Sequence, residues 1–243
     1  MIYTWQAIWI VYAIVNLFRK TDQGPYYTKP VLMPVLFLVS YLINMVLNCT
    51  WMVVFDREYL EVACAVLFLM VATLYTCLFY SYRCLDKSLD VLIKQERKSD
   101  VWLTRFMVQN GLSIYATWCT IATLLNFTLV LIYRTSHDIS QQDASTVALS
   151  ILAAIIVIFV VADLGFLDRY TRYTFTPYLV LVVALIGSLS KNYVEGSRNS
   201  IFTIVLLSIS GVAALLKCFF IFYRHCRRTE DGVKISETSG LKV

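Results

Sequence analysis

Charge is scarce in this sequence. Asp, Glu, Lys and Arg make up 15% of its 243 residues, against about 25% in an average soluble domain. A soluble fold of this length needs more polar surface than that. Seven cysteines are present but none is spaced C-x-x-C, which removes the usual redox and zinc signatures. Most of them lie in apolar blocks and read as small buried hydrophobes. Cys84 and Cys226, beside basic residues, are the candidates for S-palmitoylation. The two histidines, His137 and His225, fall in exposed segments far apart, so no metal cluster is expected. Nucleophile motifs and glycine-rich phosphate loops are absent, and no enzyme is expected. No basic n-region or small-residue cleavage site marks a signal peptide before the first apolar block. No internal repeat is evident.

What the chain has is hydrophobicity in long blocks. Apolar residues make up 59% of it, and the mean hydropathy is +0.68. A bilayer crossing needs roughly 20 mostly apolar residues. Seven such blocks can be drawn, at 5–18, 31–55, 59–82, 107–133, 144–167, 174–189 and 201–223. The expected fold is therefore all-α, a polytopic transmembrane helical bundle of about seven spans. Its first and sixth spans are the shortest. Sixteen basic residues fall in alternate connections and the tail, including Arg19, Lys29, Arg83, Arg97, Arg169 and Arg224. The other connections hold four, Arg57, Arg134, Lys191 and Arg198. The positive-inside rule then places the N-terminus outside and the C-terminus in the cytosol. Lys217 falls inside the last block and is expected to snorkel. The segment 83–106 reads as a cytosolic interfacial helix or helical hairpin, with apolar Leu85, Leu89, Ile93, Trp102 and Phe106 among charges. The polar stretch 224–243 reads as a disordered tail.

Two blocks are more polar than lipid exposure permits. Tyr41, Asn44, Asn48 and Trp51 recur at helical spacing in the second. Asn110, Ser113, Thr117 and Thr120 do so in the fourth, flanked by Tyr115, Trp118, Thr123 and Asn126. Groups at that depth must find partners inside the bundle or line a cavity. They serve either as helix–helix glue or as a pocket with aromatic walls and a few orienting amides and hydroxyls. Asp163 is expected to pair with Arg169 or Arg172. The tripeptide Asp168-Arg169-Tyr170 matches that of rhodopsin-like receptors but follows the wrong span, and the N-P-x-x-Y of their last helix is missing. The Asn48 and Asn126 glycosylation patterns lie within spans and are rejected. The terminal Leu241-Lys242-Val243 could add as a strand to a PDZ-type domain.

The fourth block, Tyr115-Ala-Thr-Trp118-Cys-Thr-Ile121-Ala122-Thr-Leu-Leu125-Asn126, resembles the last-helix signature of the translocator protein family (TspO/MBR, the tryptophan-rich sensory proteins), P-Y-x-x-W-x-x-F-A-x-x-L-N. Ile121 replaces the aromatic and Ile114 the proline. The second block is similar to the family's Y-x-x-Q-x-x-L-N-x-x-W-x-x-x-F through Tyr41, Leu47, Asn48, Trp51 and Phe55, with Asn44 at the glutamine position. The first block carries Ile8-Trp9-Ile10-Val11-Tyr12, like the family's V-W-x-x-L-Y. The resemblance covers 5–133. The family has a further helix and a proline-rich loop before V-W-x-x-L-Y that this chain starts too late to contain, and three further spans follow here. The chain thus resembles a longer variant of the family lacking its N-terminal helix, with a family-like region at 1–133 and added helices at 134–223.

The resemblance implies a membrane protein that binds a tetrapyrrole (haem or porphyrin) or a sterol-like molecule between its helices, as translocator or sensor, with no cofactor required and no catalysis. Carried over by motif position, the ligand-binding candidates are Trp9, Tyr12, Tyr41, Asn44, Asn48, Trp51, Tyr115, Trp118, Ala122 and Asn126. The expectation is that Trp51 and Trp118 face one shared cavity. The family's sterol-contact pattern is met by Leu78, Tyr80 and Arg83. Expected partners are the bilayer, a hydrophobic small molecule and a second copy of the chain, with nucleic acid excluded. Rival readings are a small-solute transporter or channel, a seven-span signalling receptor, and a purely structural membrane protein.

Overall fold

The computed structural model describes residues 2–240 except 22, 23, 26, 28, 29 and 136–138, and gives only the backbone for 225 and 227–240. Lys29, His137 and the terminus at 241–243 expected to suit a PDZ-type domain therefore lie outside the described residues. Among the described residues there are nine α-helices: α1 (Ile2–Phe18), α2 (Val35–Asp56), α3 (Leu60–Lys94), α4 (Lys98–Leu103), α5 (Asn110–Tyr133), α6 (Gln141–Val161), α7 (Asp168–Thr171), α8 (Thr176–Asn192) and α9 (Arg198–Gly240). Seven of them lie on the apolar blocks, and two, α4 and α7, lie in the connections. A short antiparallel ribbon, Lys20–Thr21 with Gly24–Pro25, follows α1. This is the all-α bundle that the sequence predicts. Five helices are long and apolar enough to cross a membrane, while Ile2–Phe18 and Thr176–Asn192 are shorter. In lipid every backbone N–H and C=O must be paired within the segment, which is why apolar runs of this length become helices.

The helix ends follow local chemistry. Pro34, which has no N–H to lose, precedes α2 in extended backbone. Ser140 caps α6: its Oγ accepts from the Asp143 N–H at 3.1 Å and donates to Asp143 Oδ2 at 2.7 Å. Glu58 and Glu96 make the tight turns after α2 and α3 at φ 60° and 57°, a region non-glycine residues seldom enter. Through the charged link, α3 continues to Lys94, the chain turns at Glu96 and returns as α4, the hairpin being one of the two forms its pattern allows. A π-helical turn, Thr104–Gln109, joins α4 to α5 in one continuous rod. The hairpin has its own small core of Leu85, Leu92, Val101 and Leu32. The α9 backbone stays helical to Gly240, through the stretch whose composition predicts disorder, and no proline follows Pro177 to break it.

Among the described residues, the ion pairs other than Lys217–Asp163 sort to the two ends of the bundle. At one end are Arg19–Asp100, Arg97–Asp100, Arg169–Asp86, Arg172–Asp168 and Arg224–Asp168. At the other are Arg134–Glu61 and Arg198–Asp143. The first end gathers the segments that the charge count grouped together. Between the ends lie two apolar cores that share α5. One packs α1, α2 and α3 around Trp9, Phe37, Met70, Leu74, Leu112 and Tyr115. The other packs α6, α8 and α9 around Leu152, Ile156, Leu181, Leu185 and Leu206, with Ile121 and Leu124 of α5 against it.

Candidate functional site

The motif residues do converge, but on a packed core. Gln6, whose importance the sequence reading missed, is its hub. Gln6 Nε2 donates to the Gly111 carbonyl at 2.8 Å, while Gln6 Oε1 accepts from Trp9 Nε1 at 2.6 Å and from the Tyr41 hydroxyl at 3.3 Å. The Trp9 ring meets Tyr41 edge-on at 4.6 Å and Phe37 at 5.8 Å. Gln6 sits three residues before Trp9, one helical turn away on the same face, and that spacing is the signal that could have found it. Tyr12 is buried in the same core. Asn44, fully buried, donates to Met70 O at 3.0 Å and Thr73 Oγ1 at 2.9 Å, tying α2 to α3. Asn48 Nδ2 donates to the Tyr115 hydroxyl at 2.7 Å, tying α2 to α5.

The remaining candidates sit at the edge of this cluster or outside it. Trp51 is half-buried at the edge of the core and stacks on Phe55 at 5.3 Å. Ala122 is likewise half-buried against it. Asn126 turns back to its own helix, donating to Ala122 O at 3.0 Å. Trp118 is 47% exposed, on the outer face of the bundle. The expectation that Trp51 and Trp118 face one shared cavity is therefore not what the geometry gives. At 100° per residue, Trp118 lies between the face bearing Tyr115 and Cys119 and the face bearing Thr117 and Ile121, and it points away from both cores.

The cavity opens on the other face of α5. Its volume is about 370 Å³, and α3, α5, α6, α7 and α8 enclose it. The row Ser113, Thr117 and Thr120 lines one wall. Asn110, first of that row, instead clamps α5 to the start of α8. It donates to Arg105 O and Tyr173 O, both at 2.9 Å, and accepts from the Phe175 and Thr176 N–H groups. Thr117 and Thr120 each donate their single proton to a carbonyl of their own helix, Ser113 O and Ala116 O, at 2.8 Å. Their hydroxyls thus offer a ligand only lone pairs. From α3, Tyr82 forms a hydroxyl chain with Thr174 at 2.9 Å and Ser113 at 3.4 Å. Leu78 and Arg83 of the sterol-contact pattern line the cavity, whereas its Tyr80 packs into the first core and Tyr82 takes its place. A wider, shallow apolar groove near Glu61, Cys64 and Phe127 lies toward the other end.

Asp163 forms part of the cavity wall and holds the buried ion pair. It sits in a π-helical turn, Ala162–Phe166, at the end of α6. Its Oδ2 accepts from Lys217 Nζ at 2.8 Å and from the Tyr178 hydroxyl at 2.6 Å, and Lys217 also donates to Asp163 Oδ1 at 3.0 Å and Thr171 O at 3.1 Å. Two expectations are corrected here. Lys217 does not snorkel; it is 1% exposed, because the inward-facing Asp163 carboxylate and the Thr171 carbonyl offset its desolvation. Asp163 pairs with neither Arg169 nor Arg172. Arg169 grips Asp86 with two bonds of 2.9 Å, and Arg172 takes Asp168 at 3.1 Å. The receptor-like tripeptide is thus spent on ties from α7 to α3 and α9. All seven cysteines are free thiols, and no metal-binding group of His, Cys, Asp and Glu occurs among the described residues.

No curated protein and no solved structure matches the chain. A family model does, and it extends well past the motif-bearing half: the TSPO-like protein family matches residues 1–223, through the last apolar helix. With its apolar helical bundle and a match over nearly the whole chain, this integral membrane protein belongs to the TSPO-like protein family.

Proposed function

We propose that the protein binds a hydrophobic small molecule within its helix bundle and performs no chemistry on it, acting as a translocator or sensor. The observation that carries this reading is the cavity of about 370 Å³ between α3, α5, α6 and α8. That size falls within the range of small-molecule sites, which are mostly apolar with a few oriented polar groups. Its apolar walls and its hydroxyl row suit a tetrapyrrole or sterol-like molecule, the ligands that the family resemblance suggests. In this reading the aromatic and amide residues of the motifs build the scaffold, and the far face of α5 meets the ligand. The clustering of basic segments at one end supports a cytosolic placement for that end, with the N-terminus outside.

Protoporphyrin tests the reading. The full-length chain in non-ionic detergent is expected to shift the porphyrin absorbance band saturably. Thr117→Phe, which fills the cavity, should weaken that binding about tenfold or more, as expected when a ligand loses its buried apolar contacts. Trp118→Ala should leave it unchanged. Loss of binding in Trp118→Ala with full binding in Thr117→Phe would overturn the placement and return the ligand to the outer motif surface.

A further inference from the structure

We infer that this cavity also takes a single-chain anionic amphiphile, a long-chain carboxylate whose head pairs with Arg83 and whose tail lies against Ile121, Leu152 and Ile156. The inference rests on the reading of the cavity as a binding site and adds a second class of ligand to it.

The first argument is charge. A carboxyl group and a guanidinium line the cavity, those of Asp163 and Arg83. Asp163 is matched within the protein by Lys217 and Tyr178. Arg83 has no carboxylate partner among the described residues. The wall therefore carries one unmatched positive charge. A flat guanidinium fork takes a carboxylate through two parallel bonds, and it repels an ammonium head.

The second argument is polarity along the cavity. Tyr82, Arg83, Tyr170 and Thr174 line the end near the basic segments. Leu152 and Ile156, on α6, lie about three and two turns before Asp163, and Ile121 about two turns after Ser113 on α5. These apolar residues place the far end toward the middle of the helices. The charged head-binding group sits at one end, and the other end is mainly apolar, with Tyr75 and the self-bonded Thr120 its polar groups, which suits a molecule with one head and one tail. The ring of Phe79 lies 5.8 Å from the Arg83 guanidinium carbon, which steadies the head-binding group at the mouth.

The test uses the full-length chain in non-ionic detergent, with radiolabelled oleate and oleyl alcohol as probes in equilibrium binding. Oleate should bind saturably and more tightly than the alcohol. Arg83→Gln should weaken oleate about 10- to 100-fold, the scale of hydrogen bonds to a charged group, and leave the alcohol unchanged. Arg83→Lys should keep an intermediate preference for oleate, which guards against a folding artefact in the Gln variant. Thr117→Phe should remove both probes. If oleate and the alcohol bind alike and Arg83→Gln changes neither, while Thr117→Phe still blocks both, the anionic head is wrong and the cavity reading stands. If Thr117→Phe leaves both probes bound, both readings fall. Displacement of oleate by a two-chain anionic phospholipid at equal concentration would show Arg83 serving bilayer headgroups, and would overturn the proposal.

Discussion

One face of α5 is packed shut and the opposite face is hollow, and the difference lies in which polar side chains each uses. On the packed face, glutamine, asparagine, tyrosine and tryptophan reach across to other helices: Gln6 to Gly111, Asn48 to Tyr115, Asn44 to Thr73. On the hollow face, Thr117 and Thr120 spend their protons on their own helix. Long polar groups draw neighbouring helices together because each must find a distant partner. Short hydroxyls satisfy themselves locally and leave the gap open. Aromatic and amide motifs at helical spacing therefore mark the scaffold here, and the plainer serine and threonine row marks the cavity.

The largest expected effect breaks the hollow side. Lys217→Met leaves Asp163 buried without its cation, and breaking such a pair from one side costs about 3–5 kcal/mol. Thermal unfolding in detergent should show that loss. Lys217→Met combined with Asp163→Leu should recover most of it, since replacing both partners with apolar groups is often neutral. A double variant as unstable as the single one would mean that the pair does more than neutralise itself.

A glycine comparison sharpens the contrast. A Cβ on Gly111 would run into the Trp5 ring, where α1 closes on α5 and Trp5 Nε1 donates to Met107 O at 3.0 Å. Gly111→Ala should cost about 1–3 kcal/mol, the usual scale of overpacking, and Trp5→Ala in the same chain should relieve the clash. Gly211, on α9, has nothing within 4 Å of its ideal Cβ. Gly211→Ala should be neutral or stabilise by up to about 1 kcal/mol, from helix propensity alone. Melting curves of the two variants, measured side by side, read the difference between the lobes directly.

Much of the fold was legible because it depends on local sequence. Apolar blocks gave the helices, and the polar faces at 3.6-residue spacing gave the inward sides of α2 and α5. What stayed hidden depends on pairs far apart in the chain. Lys217 and Asp163 are 54 residues apart, and a lone lysine in an apolar block gives no sign of which acid will meet it. Gln6 looks like one polar residue in a short helix until Gly111, 105 residues away, receives its bond. The cavity was illegible for a further reason. A hollow records what side chains fail to fill, and that emerges only when the volumes of α3, α5, α6 and α8 are set against one another. Trp118 sits outside both cores because a motif position fixes a residue's place on its helix but not which neighbours flank that helix.

The smallest effects separate glue from bystanders on the packed side. Asn48 and Tyr115 share the 2.7 Å bond between α2 and α5, and interhelical bonds in membranes average about 0.6 kcal/mol by double-mutant cycle. Asn48→Leu and Tyr115→Phe, each alone and then together, should give a coupling energy of that size. Trp118 shares its motif with Tyr115 but faces outward at 47% exposure. Trp118→Ala should shift stability by no more than about 0.5 kcal/mol, and its coupling to Asn48→Leu should vanish within error. A sizeable coupling between Trp118 and Asn48 would mean that the indole turns inward in the bilayer and that the packed face is larger than the four helices show.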